Sequence, residues 1–151
     1  MRNAIISDTS CLILLDKIGE FNILQKLFGT IITTHEVVRE FGNPIPEWIK
    51  IIDPVNEHYQ AILEVSVDKG EASAIALAVE YDDCLLIIDD SKARALAIQL
   101  GLNITGTLGV LVEAKIAGHI PLVKPILEKI KQTNFRLSDA LEAIILEKVG
   151  E

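Results

Sequence analysis

Carboxylate side chains follow two strand-like segments of this sequence, at the point where each segment ends. Asp8 comes directly after the β-branched run at residues 3–7, and Asp89 and Asp90 follow the apolar run at residues 84–88. If both runs are parallel strands, their carboxyl ends meet at one edge of the sheet, where ligands bind in open α/β folds. Carboxylate oxygens are suitable ligands for Mg²⁺ and Mn²⁺. The pattern therefore predicts a site for a divalent cation at this edge.

Glutamates that follow later predicted elements are further candidates for the same edge. Glu36 and Glu40 follow the next strand-like run and share one helix face, because residues four apart are neighbours on a helix. Thr33 and Glu36 fit the capping-box pattern, which gives Glu36 a local role and leaves Glu40 as the site candidate. Glu71 opens an Ala-rich helix directly after Gly70, where the helix dipole favours an acidic side chain.

The aspartates also have purely structural interpretations. Asp8 stands where the N-cap of the next helix is expected. Asp90 stands four residues before Arg94, which is a spacing for an ion pair on a helix. Neither interpretation explains why two strands deliver carboxylates to the same edge, so we favour the metal site.

Short apolar runs alternate with helical patterns along the whole chain. The run at residues 84–88 lacks polar alternation, which is typical of a strand covered by helices on both faces. This alternation predicts an α/β fold, a single domain over residues 1–151 with a mostly parallel twisted sheet of four to five short strands flanked by helices on both faces. The predicted strands are residues 3–7, 30–33, 49–52, 84–88 and 103–105. The predicted helices are residues 11–15, 21–28, 37–41, 56–65, 71–81, 92–100, 107–117, 122–131 and 139–149, with a solvated break at residues 68–70.

The charge balance limits the classes of partner. With 14 Lys and Arg against 22 Asp and Glu, the formal net charge is −8, which argues against a general, salt-sensitive binder of polyanions. Carboxylates gathered around a divalent ion explain part of this surplus. No apolar run is long enough to span a bilayer and no signal-peptide pattern is present, so we expect a cytoplasmic protein without a membrane partner. Cys11 and Cys84 lie in apolar stretches and are expected in the core.

Five stretches carry a family resemblance through their order and spacing. They are IISDTSCLILLDKIG (5–19), VVREF (37–41), KGEASAIALA (69–78), LLIIDDSKARALAIQLGL (85–102) and TGTLGVLVEAKIAGHI (105–120). Together they resemble the PIN-domain superfamily, and more closely its DUF3368 branch of nucleic-acid-binding proteins. The resemblance implies that the catalytic and metal-binding acids are Asp8, Glu40, Glu71 and Asp90, with Asp89 an alternative ligand that the sequence does not separate from Asp90.

Other polar residues near the same loops are candidates for substrate contact. Thr9, Ser10 and Thr107 could donate hydrogen bonds to phosphate oxygens, and Lys92 and Arg94 are nearby cations that could track a nucleic-acid backbone.

The resemblance implies a Mg²⁺- or Mn²⁺-dependent endoribonuclease that hydrolyses RNA phosphodiester bonds, in some relatives as a toxin paired with a small antitoxin protein. The alternative is a catalytically degenerate PIN-like module that binds nucleic acid or a partner protein without cleavage. A homodimer or higher oligomer is also expected, because helices that carry Val110, Leu111 and Ile116 offer apolar surface for a second copy.

Overall fold

Strands and helices alternate along residues 4–151, the part of the chain that the computed structural model describes; Asn3, predicted to belong to the first strand, lies outside the described residues. The elements are β1 (Ala4–Ser7), α1 (Thr9–Lys17), α2 (Asn22–Phe28), β2 (Ile31–Thr33), α3 (His35–Phe41), β3 (Ile49–Ile51), α4 (Glu57–Leu63), α5 (Lys69–Val79), β4 (Cys84–Ile87), α6 (Ser91–Gln99), β5 (Asn103–Thr105), α7 (Thr107–Ile116), α8 (Lys124–Lys131) and α9 (Asp139–Lys148).

All five of these strands form one parallel sheet in the order β3-β2-β1-β4-β5. The predicted α/β fold with a mostly parallel sheet is therefore confirmed. The chain proceeds from β1 outward through β2 and β3, then returns to place β4 on the other side of β1. The strand order thus reverses between β1 and β4, which is where open α/β sheets bind their ligands.

Successive residues of the central strands alternate between two apolar cores. Ile6 and Leu86 pack on one face with residues of α4, α5 and α6. Ile87 packs on the other face with residues of α1, α2, α3, α7, α8 and α9. Cys11 and Cys84 are both buried, as predicted, one in each core. Helices therefore cover both faces of the sheet, and its carboxyl edge is held between two packed layers.

The predicted capping box at the start of α3 is wrong. Thr33 belongs to β2, where it pairs with Ile51, and its hydroxyl donates to the Ser7 backbone oxygen at 2.9 Å. The N-cap is Thr34, whose Oγ1 accepts from the Val37 backbone N–H at 3.2 Å. Strand pairing thus moves the helix start by one residue.

Two of the three residues expected to contact a second subunit lie inside the core. Val110 and Leu111 are fully buried on α7, whereas Ile116 is 72% exposed. Most of the apolar surface of α7 that was expected to contact a second subunit therefore packs inside the core of the same chain. No helix among residues 4–151 combines the length and apolar character needed to cross a bilayer.

Candidate active site

The first strand and the fourth strand bring their terminal carboxylates to one edge of the sheet. Ser7 stands opposite Ile87 in the parallel ladder, and the Asp8 backbone N–H donates to the Ile87 backbone oxygen at 3.0 Å. This bond ties the start of α1 to the end of β4, two residues before Asp89. The predicted approach of these two strand ends is therefore present in the structure.

Asp8 is a buried carboxyl group, only 2% exposed. Its Oδ1 has no hydrogen-bond partner among the described residues. The pKa of Asp8 is raised to about 8, chiefly by burial and also by the charges of Glu71, Asp68 and Glu40, while the Thr9 backbone N–H lowers it. The Asp8 side chain makes no cap hydrogen bond at the N-terminus of α1. The N-cap interpretation therefore leaves this side chain without a structural role that would explain its burial.

Glu40 approaches Asp8 from α3. The Thr9 hydroxyl donates to Glu40 Oε1 at 3.0 Å. Gly70 permits this position, because a Cβ atom there would lie 1.7 Å from Glu40 Oε1. Partial burial raises the pKa of Glu40, as do the charges of Asp68 and Glu36, while the Thr9 hydrogen bond lowers it.

Glu36 does not share the position of Glu40. Its carboxylate forms an ion pair with Arg39 on the same helix. The local partner of Glu36 is thus Arg39 rather than the backbone at Thr33, and Glu40 stays the glutamate predicted for the site.

Glu71 and Asp68 form a reciprocal capping box at the start of α5. Asp68 Oδ1 accepts from the Glu71 backbone N–H at 2.8 Å, and Glu71 Oε1 accepts from the Asp68 backbone N–H at 3.3 Å. The pKa of Glu71 is raised to about 7, chiefly by burial and also by the charges of Asp68, Asp90 and Glu40, while the Asp68 backbone hydrogen bond lowers it.

Asp68 is not among the predicted site residues, and α5 begins two residues earlier than the predicted helix at 71–81. Residues 68–70 are not a solvated break, since α5 begins at Lys69 and Asp68 is its N-cap. An acid followed three residues later by Glu71 is the capping-box signal that would have revealed both facts.

Asp90 and Asp89, which sequence did not separate, have different surroundings. Asp90 caps α6, where its Oδ2 accepts from the Ala93 backbone N–H at 3.0 Å, and its charge raises the pKa of Glu71. It therefore belongs with the other acids. We call the group formed by these residues the carboxylate cluster: Asp8, Glu40, Asp68, Glu71 and Asp90.

Asp89 is bound to Thr107 at the start of α7. Its two carboxylate oxygens accept from the Thr107 backbone N–H at 2.8 Å and from the Thr107 hydroxyl at 2.6 Å. Gly106 makes this approach possible, because a Cβ atom there would lie 2.7 Å from Asp89 Oδ1. The prediction of Asp89 as a metal ligand therefore lacks support from the structure, since its lone pairs hold the start of α7 in place.

Several candidate substrate contacts also have other partners. The hydroxyls of Thr9 and Thr107 donate to Glu40 and Asp89, so both residues position acids rather than offer free donors. The Arg94 guanidinium donates to the Ile88 backbone oxygen at 2.8 Å, not to Asp90, so the predicted ion pair on α6 is absent. Ser10 and Lys92 are exposed beside the cluster.

The carboxylate cluster has the donor chemistry that a hard divalent cation requires. The pKa values of Asp8, Glu40 and Glu71 are raised, chiefly by burial and in part by the charges of neighbouring acids. Asp8 Oδ1 is buried and free to accept. However, among residues 4–151 no group of three or more His, Cys, Asp or Glu side chains is placed so that it could hold a metal ion. Asp8, Glu40 and Glu71, whose pKa values are raised, are the candidate oxygen ligands within this cluster.

Comparisons with known proteins give one positive result. No curated protein matches the chain, and no solved structure matches it. A protein-family model described as DUF3368, a PIN domain, matches residues 4–151. The match spans β1 to the end of the chain and so includes all members of the carboxylate cluster. The chain therefore belongs to the DUF3368 family of PIN domains, whose fold is of the nuclease type.

Proposed function

We propose that this protein is a Mg²⁺- or Mn²⁺-dependent endoribonuclease of the PIN type. The observation that carries the proposal is Asp8, a buried carboxyl group with an unpartnered oxygen, surrounded by the charges of three further acids. A fold gains nothing from burying an acid in this way, because an unpaired buried polar group is costly. Such features concentrate at functional sites.

Three residues of the cluster supply the oxygen ligands in this proposal. Asp8 supplies the buried oxygen ligand at the end of β1. Glu40, held by Thr9, and Glu71, held by the Asp68 backbone, supply further oxygens from α3 and α5. The positions of both glutamates depend on hydrogen bonds already formed in the protein.

A bound Mg²⁺ or Mn²⁺ would lower the pKa of an attacking water and neutralise charge on the scissile phosphate. Hydrolysis adds the water oxygen to phosphorus, breaks the bond to the 3′ oxygen and leaves a 5′-phosphate and a 3′-hydroxyl. The deprotonated forms of Asp8 and Glu71 are needed to hold the cation. Their raised pKa values therefore mean that protons and cation compete for the same oxygens.

Thermal unfolding with and without metal tests the cation site. Mn²⁺ or Mg²⁺ at millimolar concentration should raise the melting temperature relative to EDTA, because a ligand that binds only the folded state stabilises it. Asp8→Asn should abolish the shift. Asp82→Asn is the matched control, since Asp82 is exposed and precedes β4 at the opposite edge. No shift for the unaltered protein would contradict the metal site.

Cleavage of a single-stranded RNA tests the catalytic part. We expect cutting with Mn²⁺, none with EDTA, and none by Asp8→Asn or Asp90→Asn. Cutting that survives both substitutions would exclude this site as its source.

A non-cleaving PIN module is the second candidate function. The observation that favours it is that no group of three or more His, Cys, Asp or Glu side chains among the described residues is placed to hold a metal ion. In that case RNA or a protein partner binds, but metal changes neither the melting temperature nor the integrity of the RNA.

A toxin role, with a small antitoxin as partner, forms a further part of the proposal and rests on family membership. Expression of the chain should arrest growth, and Asp8→Asn should relieve the arrest. Growth arrest by Asp8→Asn at equal expression would contradict this role.

A further inference from the structure

A cleft opens beside β5, on the far side of β4 from Asp8. It lies between the turn from β5 into α7 and the segment from Phe135 to Lys148, and its volume is about 550 Å³. That volume is typical of ligand pockets, which span roughly 300–1,000 Å³. We call it the cationic cleft, after the charged residues that line it: Asp89, Arg94, Arg136 and Lys148.

The cationic cleft is positive in a protein that is negative as a whole. Three cations and one acid line it, so its formal charge is +2, against −8 for the chain. Among the ion pairs of the described residues, none involves Arg136 or Lys148. Asp89 already accepts two hydrogen bonds from Thr107. The cleft therefore presents positive charge that the protein itself does not neutralise.

An aromatic side chain and apolar walls accompany this charge. Phe135 is half-buried against the core, and Leu108 and Val112 of α7 line the cleft beside it. The loop that carries Phe135 is pinned by Thr133, whose hydroxyl donates to the Ile130 backbone oxygen at 2.6 Å and accepts from the Phe135 backbone N–H at 3.1 Å. The aromatic ring is thus held in place by the fold. Aromatic platforms flanked by cations are typical of single-stranded nucleic-acid sites.

The sheet order sets the distance between the cationic cleft and the carboxylate cluster. Asp8 follows β1, the cleft lies at β5, and β4 separates these strands. Two inter-strand spacings of ~4.8 Å place the ends of β1 and β5 on the order of 10 Å apart along the same edge. One extended strand of nucleic acid can therefore lie across both.

We propose that the cationic cleft binds single-stranded RNA next to the bond that the carboxylate cluster acts on. A base lies against Phe135 and the apolar wall, and the flanking phosphates lie at Arg136 and Lys148. This inference rests on the proposed ribonuclease function and specifies where its substrate is held. It also explains how an acidic protein engages a polyanion, since the contact is confined to one positive surface.

Equilibrium binding of a fluorescently labelled 12-nucleotide RNA tests the proposal. The measurement is made on the whole chain in EDTA, so that the RNA stays intact, at several salt concentrations. The double variant Arg136→Gln/Lys148→Gln should bind more weakly and reduce the slope of log K against log salt by about 1.4, which is ~0.7 for each of two lost phosphate contacts. Lys26→Gln/Lys50→Gln is the matched control, since both residues are exposed and neither lines the cleft.

Phe135→Leu separates stacking from charge. It keeps an apolar side chain in the core but removes the ring, and should weaken binding roughly 5- to 100-fold with the salt slope unchanged. Its melting temperature checks that the fold is retained.

Four results would overturn the cleft assignment: no saturable binding by the unaltered protein, an unchanged slope for the double variant, equal weakening by the control variant, or displacement by poly-glutamate as effective as by unlabelled RNA. If RNA is cleaved with Mn²⁺ while the cleft variants bind normally, the inference fails and the ribonuclease function stands. If the cleft variants bind weakly but metal never produces cleavage, RNA recognition stands and the ribonuclease function fails.

Discussion

The buried carboxyl group of Asp8 makes the stability of this protein depend on pH in a direction unusual for an aspartate. Its pKa rises from 3.8 to about 8 on folding, chiefly because burial disfavours the charged form. Between these two values the folded protein keeps a proton that the unfolded chain has lost. The free energy of unfolding therefore falls as the pH rises through this window.

The magnitude follows from linkage. One proton bound only by the folded state changes the free energy of unfolding by about 1.4 kcal/mol for each pH unit. From pH 5 to pH 7 the metal-free protein should therefore lose about 2 to 3 kcal/mol through Asp8 alone. Glu71 and Glu40, whose pKa values are also raised, add losses in the same direction.

Asp8→Asn isolates this contribution, because asparagine keeps the shape of the side chain and removes its titration. Urea unfolding in EDTA at pH 5, 6 and 7 gives the free energy for both proteins. The variant should gain about 2 to 3 kcal/mol relative to the unaltered protein between pH 5 and pH 7. The contributions of Glu71 and Glu40 remain in both proteins and cancel in the comparison.

Asp82→Asn serves as the control, since an exposed acid at the opposite edge should leave the pH dependence unchanged. Equal pH dependence for Asp8→Asn and the unaltered protein would show that Asp8 is charged in the folded state at pH 5, and would refute the reasoning. A gain of stability with pH that is specific to Asp8 would refute it as well.

Three further predictions concern the neighbours of the cluster. Gly70→Ala places a Cβ atom where Glu40 Oε1 lies, so the exposed Glu40 side chain should turn toward solvent. We expect Mn²⁺ to raise the melting temperature of this variant less than that of the unaltered protein. Without Mn²⁺, the free energy of unfolding should change by less than about 1 kcal/mol. Thr107→Val removes the hydroxyl that donates to Asp89, and should lower the free energy of unfolding measured in urea by about 1 to 3 kcal/mol. Thr107→Ser keeps this hydroxyl and should lower it much less. Cys11 is buried and its pKa is raised, so its thiol should react with Ellman's reagent only as the protein unfolds; rapid reaction of the native thiol would contradict this.

Local sequence patterns were sufficient for the architecture. A run such as residues 84–88 is apolar at every position because helices cover both faces of its strand, and periodicity records that burial directly. Turns and caps were less well determined. Thr33 and Thr34 are equally good caps by type, and only pairing of Thr33 with β3 makes Thr34 the N-cap.

The choice between chemically identical neighbours required the tertiary structure. Asp89 and Asp90 are adjacent acids after the same strand, and no sequence rule separates them. Packing of α7 against the edge gives Asp89 two hydrogen bonds from Thr107. Asp90 instead caps α6, and its charge raises the pKa of Glu71. These partners are distant in sequence or belong to different elements, so the hydrophobic periodicity of the sequence does not predict them.

The sequence by itself determined which residues are candidates for a site, because Asp8, Glu40, Glu71 and Asp90 stand at or near predicted strand ends and helix starts. Only the tertiary structure decided how these acids act on one another. The tertiary structure buries Asp8 beside acidic side chains of α3 and α5 and adds Asp68 to the group. It also forms the positively charged cationic cleft in a chain whose net charge is negative. The physical reason is that strand ends are specified by local backbone preference, whereas burial and charge proximity depend on which elements the fold packs together.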